Sequence, residues 1–281
     1  KRQLIGGTMF VTWMGETITE KGLGNGTSLL IFMGIIASFP RTIGRWGEQV
    51  HYGLVNYLPI IIMVILIILI VLAVVLISEG ERKIPIQYAK RVVGRKMYGG
   101  QSTHIPVKVN MGGVMPIVFA SAVLAIPSTV SLFFGNGGES GINNFFQNTT
   151  GGFILYLLIQ SALILIFAYF YNQIQFNTVE YAKQLQQNGG FIPGIRPGKP
   201  TSEYLAKVAT RITFIGSIAL ALLTIIPAIA SKLLGLSLSF GGSSVIIVVG
   251  VIIETIKQLE AMMTMKPVSY THLTLPTSDL V

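Results

Sequence analysis

The segment GGFIPGIRPGKP, residues 189–200, holds two cations among glycines and prolines, so its first candidate chemistry is anion binding. A phosphate-binding P-loop needs the pattern G-x-x-x-x-G-K-[ST], but here Pro193 replaces the first glycine and Pro200 follows the lysine. We therefore exclude a nucleotide site of this type. Because a proline restricts the residue before it to extended backbone, Pro193 and Pro197 predict a stiff segment with Arg196 at its tip. A guanidinium held in this way loses little conformational entropy when it docks on a carboxylate or phosphate. We call residues 189–200 the basic finger.

The remaining ionisable residues form no catalytic pattern. The three histidines, His51, His104 and His272, are too far apart in sequence for a metal-ligand motif, and the chain has no cysteine. A proton relay or an ion-coupled transporter needs ionisable side chains inside membrane-spanning segments. The candidate ionisable side chains in these segments come late in the chain. Two of them, Glu254 and Lys257, have the i, i+3 spacing that is typical of an ion pair on a helix surface. We therefore expect no metal, no cofactor and no enzymatic activity.

Ionisable side chains are few because the chain has the composition of a membrane protein. Of its 281 residues, 51% are hydrophobic and 11% are charged, against about 25% charged in a typical soluble domain. A membrane-spanning helix needs roughly 20 apolar residues. Four uncharged runs approach or reach that length, 58–77, 114–134, 153–171 and 212–230. We interpret the shorter runs 27–39 and 240–253 as spanning helices with a side that faces protein.

Helices are the expected structure of these runs, because a bilayer admits only helices or closed barrels and the runs are too long for barrel strands. The predicted fold class is therefore all-α, a polytopic transmembrane helical bundle. Residues 1–26 are assigned to the end of a further transmembrane helix and a cytoplasmic loop, and residues 27–266 to six transmembrane helices. Within the run 114–134, Pro116 and Pro127 predict a kink that serves either packing or a hinge.

The content of Lys and Arg alternates from loop to loop. Loops 78–113 and 172–211 carry seven and five of these residues, whereas loops 40–57, 135–152 and 231–239 carry two, none and one. By the positive-inside rule the two basic loops are cytoplasmic, so the basic finger projects into the cytosol. Such charge can serve only to set topology, but loop 172–211 is longer than that role requires. We therefore predict that the finger is a docking surface for a cytosolic partner.

Four long segments carry a family resemblance. They are GTMFVTWMGETITEKGLGNGTSLLIF (7–32), GERKIPIQYAKRVVGRKMYGGQSTHIPVKVNMGGVMPIVFAS (80–121), NGGFIPGIRPGKPT (188–201) and FGGSSVIIVVGVIIETIKQLEAMM (240–263). These segments resemble the SecY family, the channel subunits of the bacterial Sec protein translocon. The family has ten transmembrane helices, and residues 4–265 resemble its C-terminal part, from the end of the fourth helix through the tenth. We expect the chain to be a piece of a longer one and to be inactive in isolation.

The resemblance implies a water-filled, hourglass-shaped passage for polypeptides, closed at its waist by a ring of aliphatic side chains. A narrow apolar constriction of this kind can exclude ions by dewetting. By motif alignment the ring positions are Ile31, Val118 and Ile247, with Thr27 at a further one. Thr27 departs from the usual aliphatic residue. Without the resemblance, ordinary helix packing would explain the three aliphatic residues.

The resemblance also implies the function of a protein-conducting channel that moves secretory polypeptides across the membrane. Helices 114–134 and 153–171 resemble the mobile wall of a lateral gate, which favours Pro116 as a hinge. A hydrophobic signal or transmembrane segment would leave through this gate into lipid, driven by burial of its apolar surface. Polar segments would stay in the pore.

The implied partners are SecE and SecG in a heterotrimer, the SecA motor ATPase, the ribosome, the translocating polypeptide and the lipid of the cell membrane. SecA or the ribosome would dock on the two basic loops. The candidate docking residues are Arg82, Lys83, Lys90, Arg91, Arg95, Lys96, Arg196 and Lys199. Arg196 matches a residue that the family needs for SecA-driven transport, and contacts to ribosomal RNA would weaken with salt.

One segment does not fit the resemblance. Residues 267–281, PVSYTHLTLPTSDLV, contain no Lys or Arg where the family continues with a basic tail, and we interpret them as a non-native tail.

Two other classes of membrane protein are the alternatives to a channel. A secondary transporter would need a polar site near the membrane midplane. An intramembrane hydrolase would need a Ser–Lys, paired Asp or zinc motif at membrane depth. The predicted spans show neither pattern.

Overall fold

The computed structural model describes residues 2–22, 24–53, 55–88, 91–93, 96–98, 103–134, 146, 149–236 and 242–265. Its helices are α1 (Arg2–Lys21), α2 (Gly26–His51), α3 (Tyr57–Glu79), α4 (Met115–Phe134), α5 (Thr150–Gln175), α6 (Thr178–Gln187), α7 (Lys199–Leu234) and α8 (Gly242–Met265). Its strands are β1 (Glu81–Tyr88), β2 (Arg91–Val93), β3 (Lys96–Tyr98), β4 (Thr103–Lys108) and β5 (Gly190–Phe191). The non-native tail predicted at 267–281 lies outside the described residues.

The helices confirm a polytopic membrane protein. Within the described residues, four segments are long and apolar enough to cross a membrane: Gly26–His51, Tyr57–Glu79, Thr150–Gln187 and Lys199–Leu234. Met115–Pro127 is a shorter apolar helix. Three of the predicted runs each lie inside a longer helix, namely 58–77, 153–171 and 212–230. A helix extends beyond its uncharged core into the polar interface, so its ends lie outside the run. The assignment of six spanning helices to 27–266 stays a prediction.

Helix α2 differs most from its prediction. The uncharged run ends before Pro40, but the helix continues to His51, so most of the loop predicted at 40–57 is helical. This extension has a buried side and an exposed side. Its buried side chains include Thr42 and Trp46, and its exposed ones include Arg41 and Arg45. A boundary drawn at the first charge therefore ends this helix too early.

The chain folds as two compact units, formed by the described residues of 1–36 with 251–281 and by those of 37–250. In the first unit, α1 and the start of α2 form a tight helical hairpin. The N–H of Gly26 donates to the hydroxyl of Thr19 at 2.9 Å, and this hydroxyl donates to the carbonyl of Gly15, also at 2.9 Å. A Cβ at Gly26 would collide with the Gly15 carbonyl, so this close approach requires glycine.

In the second unit, α7 is the central helix. Helices α3, α5 and α6 pack against it, and α4 packs against α5. Buried residues recur along one face of α7 at helical spacing, at Leu205, Ala209, Ile212, Gly216 and Leu220. Because α7 is continuous from Lys199 to Leu234, the end of the basic finger and the membrane-spanning run 212–230 belong to one rod.

A small sheet accompanies the helices, which the all-α prediction did not include. Strand β1 pairs antiparallel with β4, with Ile84 opposite Ile105, and its end pairs antiparallel with β5, with Gln87 opposite Phe191. Along β1, Ile84 and Ile86 are buried while the residues beside them are exposed, as in a half-buried strand. The all-α class therefore holds for the membrane-spanning part, and loops 78–113 and 172–211 contribute a sheet.

Candidate docking surface and pore segments

Within the basic finger, a tight turn follows β5. The N–H of Ile195 donates to the carbonyl of Ile192 at 3.0 Å, and Gly194 between them has a φ of 83°. A type II turn favours proline at its second position and needs a positive φ at its third, which Pro193 and Gly194 supply. The stiffness predicted for the finger therefore has a specific backbone origin.

The finger ends where α7 begins, and Arg196 lies between its turn and this helix. Gly198, with a φ of 103°, is the N-cap of α7, and Pro200 follows within the first helical turn, where a missing N–H costs nothing. The hydroxyl of the buried Thr201 donates to the carbonyl of Arg196 at 2.8 Å. The side chain of Arg196 is exposed. The finger thus fixes the backbone of Arg196 while its guanidinium faces solvent.

An apolar cluster anchors the finger to the rest of the second unit. The buried members of this cluster are Ile84, Val107, Ile192, Leu205 and Ile212, and Ile195 packs against them. They come from both basic loops and from α7. Burial of one such side chain contributes about 1.5–3 kcal/mol. The two basic loops therefore share one core, which the sequence did not reveal.

Two pairs of predicted docking cations lie on this shared body. Arg82 and Lys83 on β1 are exposed, and so are Arg196 and Lys199 of the finger. The ammonium of Lys83 lies 3.4 Å from a carboxylate oxygen of Glu81, and an ion pair this exposed adds little stability. The sheet and the apolar cluster hold both pairs on a single scaffold.

The other four predicted cations come from the middle of loop 78–113. Arg91 and Lys96 lie on β2 and β3, which pair antiparallel as a separate two-stranded ladder. Lys90 and Arg95 lie outside the described residues. The docking roles of all eight cations stay predictions.

Sequence reasoning missed the contacts that hold α6 beside the finger. The side-chain oxygen of Asn177 accepts from the N–H of Glu180 at 3.3 Å and caps α6. The hydroxyls of Thr178 and Ser202 lie 3.4 Å apart and join α6 to the first turn of α7. The Asn-x-x-Glu spacing is a helix-start signal that could have revealed the cap. The Thr178–Ser202 contact has no such signal, because it depends on how two separate helices pack.

Two predicted ring positions, Thr27 and Ile31, lie one turn apart on α2. Both are exposed, Ile31 to 38%. The side-chain oxygen of Asn25 accepts from the N–H and the hydroxyl of Thr27 and from the N–H of Ser28. The Thr27 hydroxyl therefore has its partner at the start of the helix, and its methyl group lies beside Gly15. This arrangement accommodates a hydroxyl at a predicted ring position.

The other two ring positions lie near a close contact between α4 and α8. A Cβ at Gly250 would collide with Cγ1 of Val114, so the side chain of Val114 occupies the space left by the glycine. Val118 is one turn after Val114 and is half-buried. Ile247 is three residues before Gly250 and is 5% exposed. The assignment of all four residues to one pore ring stays a prediction.

Pro116, the predicted hinge, is the second residue of α4. A proline in the first turn removes no hydrogen bond within the helix, so Pro116 has no reason to kink α4 internally. It is buried, and a Cβ at Gly112 would lie 2.9 Å from its ring and 3.2 Å from Cβ of Tyr171. Any hinge motion here would bend the junction between the turn at 111–114 and α4. The hinge itself stays a prediction.

Comparisons with known proteins support the family that the motifs indicate. The family model described as SecY matches residues 2–256. The chain is 42% identical over 263 residues to "Protein translocase subunit SecY" of Thermotoga maritima, covering 94% of this chain and 59% of the relative. It is 40% identical over 261 residues to the protein of the same name from Escherichia coli strain K12, covering 92% of this chain and 59% of the relative. The chain therefore spans about three fifths of the length of these relatives.

Solved structures show the same fold. The chain aligns with a structure described as "The structure of a protein conducting channel" at a TM-score of 0.66 and 19% identity, covering 92% of this chain and 63% of that one. A SecY structure from a study of its plug domain gives a TM-score of 0.68 at 20% identity, with coverage of 92% and 64%. The family match over most of the chain, the identity to curated relatives and this common fold agree. The chain belongs to the SecY family.

Proposed function

We propose that this chain is the C-terminal part of the central pore subunit of a protein-conducting channel, which moves secretory polypeptides across the membrane. The observation that carries the proposal is the SecY family match over residues 2–256, because this range contains the four ring positions and the whole basic finger. The chain acts as a passage and not as an enzyme. Its membrane is the cell membrane, and loops 78–113 and 172–211 face the cytosol.

The pore follows from the physics of a polypeptide in a bilayer. An unpaired backbone group in hydrocarbon costs several kcal/mol, so an extended chain needs a wet passage. Ile31, Val118 and Ile247 contribute aliphatic side chains to a constriction that yields to a polypeptide and excludes ions between passages. Thr27 contributes a side chain whose hydroxyl is held by Asn25, which lowers its polarity.

Lateral release uses α4 and α5 as one wall of a gate. Phe119 of α4 contacts two aromatic rings of α5, Phe167 and Tyr171, with ring centroids 5.7 and 5.6 Å apart. Aromatic contacts of this kind add about 0.5–1.5 kcal/mol each beyond area burial. They favour movement of the two helices as a pair, with the junction at Pro116 as the hinge. A hydrophobic segment then leaves between this wall and the rest of the channel.

The basic finger and β1 form the cytosolic docking surface. SecA or the ribosome binds there through Arg196 and Lys199, together with Arg82 and Lys83. Lys90, Arg91, Arg95 and Lys96 extend this surface along loop 78–113. The shared apolar cluster supports this role, because it holds β1 and the finger rigid relative to each other and lowers the entropic cost of docking. SecE and SecG complete the heterotrimer.

Site-specific photocrosslinking tests the pore assignment. A photoreactive residue at Val118 should crosslink to a secretory polypeptide stalled during translocation. The matched control is Ile65 of α3, which is 53% exposed and has no assigned contact with the polypeptide. Selective crosslinking from position 118 supports the pore. Equal crosslinking from both positions, or from neither, contradicts it.

A further inference from the structure

Two packed helices of the second unit, α5 and α7, each bury one polar group that lacks a partner. Asn172 of α5 is 5% exposed and Thr213 of α7 is 6% exposed. Neither the amide oxygen of Asn172 nor the hydroxyl of Thr213 has a hydrogen-bond partner within the described residues. Buried polar groups in folded proteins are nearly always paired with protein or with ordered water, because an unpaired one destabilises the fold. These two groups therefore call for a partner.

A contact at the far end of the two helices places Asn172 and Thr213 at the same level. The ammonium of Lys232, near the end of α7, lies 4.2 Å from the ring centroid of Phe153, near the start of α5. Because α5 and α7 pack against each other, this contact makes them antiparallel. Asn172 comes as many residues after Phe153 as Thr213 comes before Lys232. Equal residue counts along two helices span equal lengths, so the two polar groups meet at one level.

A contact at the near end shows that Thr213 faces α5. The hydroxyl of Ser202, in the first turn of α7, lies 3.4 Å from that of Thr178, the first residue of α6, which directly follows α5. Thr213 follows Ser202 by about three helical turns, so both lie on one face of α7. On α5, Asn172 comes one turn after the buried Ala168 and continues a stripe of buried residues. The two polar groups thus lie in the interface between the two helices.

The hydroxyl of Thr213 is available to bond across this interface. The hydroxyls of Thr210 and Thr224 each donate to a carbonyl of α7 itself, at 2.8 and 2.7 Å. Thr213 makes no such bond to the described residues. A hydroxyl can donate and the amide oxygen of Asn172 can accept, so the two groups are complementary. Complementary groups that are too far apart for a direct hydrogen bond are commonly joined by a water molecule.

We propose that α5 and α7 bind one internal water molecule between Asn172 and Thr213. The hydroxyl of Thr213 donates to the water, and the water donates to the amide oxygen of Asn172. The buried neighbours one turn earlier on each helix, Ala168 and Ala209, have small side chains that leave room for it. On the proposed function, this water anchors the gate wall to α7 near its cytosolic end. The water site itself does not depend on that function.

A high-resolution structure of the full chain tests the site without any substitution. We expect a density peak within about 3.2 Å of both the amide oxygen of Asn172 and the hydroxyl of Thr213. A map with no peak between the two groups would overturn the proposal. A direct hydrogen bond between the two side chains would overturn it as well.

A double-mutant cycle measures whether the two groups depend on each other. Thr213→Val and Asn172→Leu each remove one polar group with little change of shape and leave the other group without its partner. Each should lower the unfolding temperature in detergent by about 2–4 °C. The double variant should lose less than the sum of the two losses. If the groups had no partner in the folded chain, each substitution would raise the unfolding temperature and the effects would add, which contradicts a shared water.

Two control variants separate this site from general packing. Thr213→Ser keeps the hydroxyl, so it should retain the dependence on Asn172. Thr224→Val makes the same change at a buried hydroxyl about three turns further along α7, and its effect should add to that of Asn172→Leu. Equal coupling of Asn172 to Thr213 and to Thr224 would overturn the site. If a variant fails to fold, the map of the unchanged chain still decides, and loss of translocation in an Arg196 variant leaves the inference standing.

Discussion

The hydroxyl of Thr201 and the backbone carbonyl of Arg196 lie 2.8 Å apart, and this hydrogen bond joins the tip of the basic finger to the first turn of α7. Thr201→Val keeps the shape of the side chain but removes its donor, so the carbonyl loses its partner. We expect a local destabilisation of about 1 kcal/mol. Faster amide hydrogen exchange over residues 194–199 would measure it. Thr201→Ser keeps the donor and serves as the control. Equal exchange in the valine and serine variants would contradict this role for the bond.

Arg196→Glu should block translocation without removing the protein from the membrane. The change puts a carboxylate on the tip of a stiff finger, where it repels an anionic partner surface and cannot form the bidentate contacts of a guanidinium. The assay is uptake of a secretory precursor into vesicles that contain the channel, with the amount of membrane-bound protein measured in parallel. Lys207→Glu makes the same change of charge at an exposed site outside the finger and should transport normally. Normal secretion by the Arg196 variant would rule out the docking role.

The close contact between Gly250 and Val114 gives a test of helix packing with a built-in rescue. Gly250→Ala places a Cβ against Cγ1 of Val114 and should destabilise the chain by about 1–3 kcal/mol. Val114→Ala removes the colliding atom, so the double variant should be more stable than Gly250→Ala alone. Thermal unfolding in detergent measures the stability of all three variants. The double variant should lose less stability than the sum of the losses in the two single variants. Strictly additive effects would show that the two residues are not in contact.

The sequence predicted α3 well because the signal of a membrane helix is local. In α3, a run of 20 uncharged residues has few alternative structures in a membrane, and the helix follows it closely. The extension of α2 was missed because Arg41 and Arg45 were counted as loop charges. The apolar residues Phe39, Ile43 and Trp46, spaced three to four residues apart, were the sequence signal that could have corrected this boundary.

The candidate docking surface was predictable only in part. Pro193 and Pro197 act on the residue directly before them, so the stiffness of the finger could be predicted from sequence. The pairing of β1 with β5 joins Gln87 to Phe191, which are about one hundred residues apart, and no local pattern reports such a partner. The hydrogen bond from Thr201 likewise depends on how the finger meets α7. Long-range contacts of this kind join two separate basic loops into one folded scaffold.

Ile192→Ala should loosen the basic finger from its scaffold. Ile192 is 4% exposed and lies in the cluster that joins β1, β4 and α7, so truncation leaves a cavity that costs about 2–5 kcal/mol. We expect a lower unfolding temperature in detergent and weaker binding of the cytosolic partner, because the finger no longer holds Arg196 in place. Val179→Ala truncates a side chain of α6 that is 67% exposed, and it should change neither quantity.

The variant Ile192→Leu conserves the volume of the side chain and should retain most of the stability. If Ile192→Ala bound the partner as tightly as Val179→Ala while unfolding at a lower temperature, the cluster would be structural only, and the rigidity of the finger would not contribute to docking.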